Sequence, residues 1–169
     1  HVRLTVFTLN SGNVLNNSTD GNGGGVYLME NILNNLSASE KSAYTQLVNG
    51  GDWTPKIILN GGNFSGNTAG KNGGGAYQEQ ETEFVVSSGK SAVISRNKAE
   101  LSGGAVYIEK GKFTVNGSAN ITSNSAARGN GGAIYIGLGT ADKPSEFIVG
   151  KNGTLKLGGS TSSEGNKAG

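Results

Sequence analysis

The chain has 169 residues, 14 basic and 12 acidic, and a net charge of +2. Thirty glycines with only 2 prolines and no three-residue period exclude collagen, and the lack of cysteine excludes disulfides and thiolate chemistry. The basic residues are scattered, apart from Lys110 and Lys112, so no stripe for nucleic acid is expected, and no run of 18 apolar residues could span a bilayer.

The chain opens on a strand-like run, Val2 to Phe7, and continues through Phe7-Thr8-Leu9-Asn10-Ser11-Gly12-Asn13. Val14 and Asn17 follow, then Gly23-Gly24-Gly25-Val26-Tyr27. Residues 29–54 break this pattern. Within them Ser37-Ala38-Ser39-Glu40 is a capping box. Leu36, Ala43, Tyr44, Leu47 and Val48 recur at helical spacing, and Gly50-Gly51 can end a helix. A short amphipathic helix packed on one flank is therefore predicted. Trp53, the only tryptophan, closes the insertion.

The opening phrase then returns. Ile57-Ile58-Leu59-Asn60-Gly61-Gly62-Asn63 aligns on residues 7–13 without gaps, and Phe64, Asn67 and Gly73-Gly74-Gly75-Ala76-Tyr77 repeat what followed. Phe84-Val85-Val86, Ile94, Asn97 and Gly103-Gly104-Ala105-Val106-Tyr107 form the next unit. Phe113-Thr114-Val115, Ile121, Asn124 and Gly131-Gly132-Ala133-Ile134-Tyr135 form another. Phe147-Ile148-Val149 leads to Asn166 past loops at 137–146 and 150–164. The tyrosines stand 50, 30 and 28 residues apart, so the first interval is one period plus an insertion of roughly 20 residues.

The apolar pieces alternate at period two, which argues strands, and Gly, Asn and Ser between them suit corners. A unit of about 28 residues cannot bury its apolar face alone but can do so stacked on copies of itself. The expected fold is all-β, a right-handed parallel β-helix of about five coils forming one domain over residues 1–169, with a short helical insertion. Phe7, Ile57, Phe84, Phe113 and Phe147 should form an inner row. Asn17, Asn67, Asn97 and Asn124 should form a structural ladder of side-chain amides at a corner. Tyr27, Tyr77, Tyr107 and Tyr135 should form an aromatic column. The paired glycines should mark a corner where backbone meets backbone.

Phe64-Ser65-Gly66-Asn67 with Gly73-Gly74-Gly75-Ala76, Ile94-Ser95-Arg96-Asn97 with Gly103-Gly104-Ala105-Val106, and Ile121-Thr122-Ser123-Asn124 with Gly131-Gly132-Ala133-Ile134 resemble the FxxN and GGA[ILV] repeats of chlamydial polymorphic membrane proteins. They are also similar to Gly-Gly-Val-Tyr repeats of large bacterial surface proteins with the pectin-lyase-like fold. Two copies carry Ile for Phe, Val14 fills that place in the first unit, and Gly25 and Gly75 replace the alanine. The resemblance implies a bacterial autotransporter adhesin passenger, extracellular or at the cell surface. It would attach to a host-cell surface protein or glycan, with no membrane insertion of this segment.

The rival reading is a pectin-lyase-like enzyme that binds or cleaves polysaccharide. It needs convergent carboxylates, whereas Asp20, Asp52 and Asp142 are not at equivalent positions and His1 is the lone histidine. No catalytic, cofactor or metal residues are assigned. Glu79, Glu81 and Glu83 would share one face of a strand, as a solvated acidic face or a loose cation site. An ice- or crystal-binding face would need a threonine column, which Thr8, Thr68, Thr114 and Thr122 do not make. Tyr44, Trp53 and the four column tyrosines are the candidate partner-binding residues. The sequence also reads as a segment of a longer repeat protein, or as a unit whose terminal coils self-associate into a filament.

Overall fold

The computed structural model of the protein describes residues 6–30, 36–47, 54–159, 161 and 163–169, and of residues 44–47 the backbone alone. It is an all-β structure with one short helix, and every strand pairing in it is parallel. Three open sheets share the strands, and the chain visits them in a fixed order, five times over.

The first sheet holds β1 (Val6–Leu9), β4 (Val26–Leu28), β5 (Lys56–Leu59), β8 (Ala76–Val86), β11 (Val106–Val115), β14 (Ile134–Ile136) and β15 (Glu146–Val149). The second holds β2 (Asn13–Leu15), β6 (Gly62–Ser65), β9 (Ser91–Ser95), β12 (Ser118–Thr122) and β16 (Thr154–Leu157). The third holds two-residue strands: β3 (Ser18–Thr19), β7 (Thr68–Ala69), β10 (Lys98–Ala99), β13 (Ser125–Ala126) and β17 (Lys167–Ala168).

One feature of this topology departs from the repeat drawn from sequence. The tyrosine phrase and the phenylalanine phrase are not separate strands in every unit. They run together as the single strands β8 and β11 of the first sheet. Elsewhere an insertion splits them. β4 pairs with the first part of β8 and β5 with its last part; β14 and β15 divide β11 in the same way.

Register places like on like. Phe7, Ile57, Phe84, Phe113 and Phe147 are successive partners, as are Val14, Phe64, Ile94, Ile121 and Leu157 in the second sheet. The interior members of these columns, with Phe7 and Val14 packed against them, form the core with Leu59, Val86 and Val115, while Phe147 and Leu157 are exposed. Phe84 and Phe113 are fully buried, their rings stacked with centroids 4.8 Å apart. Burying such a side chain contributes about 1.5–3 kcal/mol, so the two apolar columns are the main source of cohesion.

The paired glycines have two separate causes. The first, as in Gly73 and Gly103, has φ near +70° (69° and 67°), where a side chain is strained. The second leaves no room. A Cβ on Gly74 would lie 2.2 Å from Gly104 O, and one on Gly104 would lie 2.1 Å from Gly132 O. Helix α1 (Ala38–Leu47) begins at the predicted capping box. The Glu40 amide donates to Ser37 Oγ (3.4 Å) and the Ser37 amide to Glu40 Oε2 (2.8 Å). The predicted flank packing is not seen in its described side chains, since Ala38 to Ala43, Ala43 of the expected apolar stripe among them, are exposed.

Candidate functional site

The asparagine column is a continuous hydrogen-bonded ladder running in one direction. The Asn67 side-chain amide donates to Asn97 Oδ1 (2.9 Å) and to Val14 O (3.0 Å), while its Oδ1 accepts from the backbone and side chain of Asn17. Asn97 repeats this toward Asn124 and Phe64 O, and Asn124 toward Asn166 and Ile94 O. Asn67, Asn97 and Asn124 are buried with every polar atom partnered, which is what makes a buried amide tolerable. Just before each, Asn16, Gly66, Arg96 and Ser123 take φ of 53°, 70°, 55° and 58°. This left-handed residue turns the chain from the second sheet into the third. The ladder is thus structural machinery, filled from inside.

The tyrosine column lies on the outer face of the first sheet, alternating with the buried Ala76, Gln78, Val106 and Ile108. Tyr27, Tyr77, Tyr107 and Tyr135 stack at centroid distances of 5.0, 5.1 and 4.8 Å. Stacking consumes the ring faces, so the interior rings offer a partner only edges and hydroxyls. Tyr27 donates to Glu79 Oε1, whose other oxygen accepts from the Glu30 amide. Partial burial and then Glu109 push the Tyr77 phenol up to about 12, and burial with Glu79 raises Tyr27 further. Tyr107 is raised by burial and by its neighbours Tyr135 and Glu109.

Next along the same outer face is a cleft of about 280 Å³. Its floor is a β-bulge. Gln80 pairs with Lys110 and Thr82 with Gly111, so Glu81 is an extra residue, held at φ 57°. Its carboxylate takes Lys110 on one oxygen (2.9 Å) and Lys143 on the other (2.7 Å). These lysines, Lys143 first, hold the Glu81 carboxyl below the usual range. Lys112 pairs with Glu146 at 2.7 Å and Lys56 with Glu83 at 2.9 Å across the neighbouring positions. Beneath the bulge Gln78 is buried and donates to Glu83 O (2.8 Å), while its Oε1 has no hydrogen-bond partner among the described residues.

The cleft marks where the insertions meet. The residue at which β4 stops and the residue at which β14 stops both pair with the stretch of β8 and β11 just before the bulge. The chain returns at Lys56 and Glu146, which pair just after it. Both insertions therefore leave the repeat at one point. Thr54 from residues 29–54 and Asp142, Lys143 and Pro144 from residues 137–146 line the same cleft.

Of the residues singled out from sequence, the four column tyrosines come together beside this cleft. The side chain of Tyr44, on α1, and all of Trp53 lie outside the described residues. Glu79, Glu81 and Glu83 do not form a free acidic face. Glu81 and Glu83 line the same cleft, but each of the three carboxylates is already taken, by Tyr27, by Lys110 with Lys143, and by Lys56 respectively. Sequence reading passed over Glu81, Lys110, Lys143 and Gly111 as a group. Gly111 inside a strand was the available signal for a bulge.

Among the described residues no three or more of His, Cys, Asp and Glu are grouped to hold a metal, and no helix is long and apolar enough to cross a membrane. No protein-family model matches the chain, and no curated protein and no solved structure is significantly similar to it.

Proposed function

We propose that the chain is a right-handed parallel β-helix of about five coils that acts as a noncatalytic extracellular scaffold at a bacterial cell surface, attaching to a host-cell surface protein or glycan. The recognition element is the outer face at the Glu81 bulge. One observation carries this reading: two unrelated insertions leave the repeat at the same point and line the same cleft. Insertions in stacked repeats commonly build the binding face, because the columns tolerate variation only outside the core. The FxxN and GGA[ILV] phrases, which resemble those of polymorphic membrane proteins, support the adhesin class by analogy.

The chemistry of the cleft disfavours one route to the cleaving alternative, general-acid catalysis by Glu81. A general acid at neutral pH needs a raised carboxyl, and two lysines hold Glu81 down instead. The test is an assay of the purified chain against host-cell surfaces, glycan arrays and acidic polysaccharides, read for binding and for cleavage. A variant with residues 137–146 replaced by a short Gly-Ser turn should keep its circular dichroism spectrum and lose binding. Product release from a polysaccharide, or undiminished binding by the variant, would contradict the proposal.

A further inference from the structure

An asparagine followed by glycine can be attacked by its own backbone. The glycine nitrogen bonds to the asparagine Cγ, the side-chain amide leaves as ammonia, and a five-membered succinimide remains. Water then opens either carbonyl, giving aspartate or isoaspartate, in which the main chain runs through the former side chain. The reaction needs no oxidant. It needs a glycine amide free of a hydrogen bond and a backbone with room to close the ring.

The chain carries seven Asn-Gly pairs, and six of them lie in the described residues. Four have the glycine amide tied: Gly23 to Asn72 O (3.0 Å), Gly73 to Ser102 O (3.0 Å), Gly117 to Val86 O (3.3 Å) and Gly153 to Gly150 O (2.8 Å). At these four, and at Gly131, a carbon added to the glycine would meet backbone oxygen at 2.1–2.5 Å, so the chain is packed closely around it.

Gly61 differs on both counts. Its amide donates to nothing among the described residues, and the atoms nearest an added carbon are Asn10 O and Ser91 O, at 3.4 and 3.6 Å. Coils lie on both sides of it, since the Asn60 amide donates to Leu9 O and the Ser87 amide to Leu59 O. The slack comes from the turn itself. Gly61 and Gly62 take φ of 132° and 90° in succession, which lifts one amide off the ladder between β5 and β6. Asn60 is half-buried, and its Nδ2 donates to Asn10 Oδ1 (2.8 Å), joining the second coil to the first.

We propose that Asn60-Gly61 is a self-modifying site that converts to isoaspartate and aspartate ahead of the other described Asn-Gly pairs. Conversion removes the Nδ2 donor and sets a carboxylate against Asn10 Oδ1, so that two acceptors face each other. Isoaspartate also adds one carbon to the main chain at a corner whose two strands are held in register with β1 and β2. The modification therefore loosens β1 and β2 from β5 and β6. The inference rests on the stacked parallel architecture and not on the adhesive role.

The 169-residue chain, aged at mildly alkaline pH and body temperature, is digested and mapped by mass spectrometry, with an isoaspartyl methyltransferase marking the isoaspartate. Conversion at Asn60 should run roughly tenfold faster than at Asn22, Asn72, Asn116, Asn130 or Asn152, each of which must open locally first. In urea that difference should vanish. Asn60→Gln, which cannot close the five-membered ring, should fold as the parent does and abolish the early product. Asn60→Asp, which carries the product's carboxylate, should speed hydrogen exchange in β1 and β2 several-fold and leave β11 and β12 unchanged. Conversion at Asn72 or Asn116 as fast as at Asn60 in the folded chain, a preference for Asn60 that persists in urea, or unchanged exchange of β1 and β2 in Asn60→Asp would overturn the proposal.

Discussion

The repeat occurs in two settings, inside the stack and at its ends, with the same residue types at the same backbone positions. Phe113 has a column neighbour on each side and is fully buried; Phe147 has one, Phe113, at 5.3 Å, and is 44% exposed. Asn97 is buried with a partner for each polar atom, while Asn17 is exposed and its Oδ1 accepts from no donor among the described residues. The tyrosine and phenylalanine phrases are one strand in the two central units and are split by insertions in the outer ones. What a residue contributes here is therefore set by its neighbours one unit away, the nearest-neighbour behaviour of stacked repeats.

The largest contrast should come from the aromatic row. Phe113→Ala should cost about 3–5 kcal/mol, because the cavity opens between two fixed neighbours. Phe147→Ala should cost about 1 kcal/mol, since half its surface already meets water. Urea melts of the two variants measure the difference, and equal losses would break the comparison.

The glycines should follow. Gly104→Ala should cost about 3 kcal/mol, as the added carbon meets backbone 2.1 Å away in Gly132. Gly89 has φ +67° but open space around it, so Gly89→Ala should cost only about 1–2 kcal/mol of backbone strain. Chemical denaturation separates crowding from strain in this pair.

For the ladder, Asn97→Ala leaves buried groups unsatisfied and should cost about 1–3 kcal/mol, whereas the loss from Asn17→Ala should stay below about 1 kcal/mol. Similar values for both would mean that burial does not govern the column.

The pH effects should be smallest. The phenols of Tyr27, Tyr77 and Tyr107 ionise later than free ones, so the unfolded chain loses protons first. Stability should be intact below about pH 10 and fall between there and the value of about 12 for Tyr77. Glu81 has the opposite sign: its pairing with Lys143 and Lys110 stabilises above about pH 4.3 and is lost as the pH falls through its lowered value. Melts at pH 7, at pH 11 and at pH 3 read both arms, with absorbance titration of the tyrosines as the direct check. A Tyr107→Phe variant should show a shallower alkaline arm.

Much of the architecture was legible because a stacked repeat writes its contacts as intervals. Residues that touch across units stand at similar spacings in the chain, 30 from Asn67 to Asn97 and 27 from Asn97 to Asn124, so they could be aligned before any fold was known. The capping box at Ser37 and Glu40 was legible for a different reason, since its bonds are local. The merging of two phrases into one strand was less visible, because insertions hid it in the outer units. Yet Tyr77 and Phe84 stand seven residues apart and Tyr107 and Phe113 six, and the difference is the bulge residue Glu81. The cleft was not legible. It depends on lysines from β11 and from the 137–146 loop reaching one carboxylate, and no periodicity encodes that meeting. The loss of free ring faces in the tyrosine column was likewise not legible, since it follows from stacking at 4.8–5.1 Å.

Native-state hydrogen exchange resolved by residue tests the central claim most directly, that stability is carried by units with neighbours on both sides. The amides of β8 to β13, with the side-chain amide of Asn97, should exchange slowest, through global unfolding, and protection should fall toward β1 to β4 and β14 to β17. Uniform protection along the chain, or fastest exchange in the central units, would contradict the account.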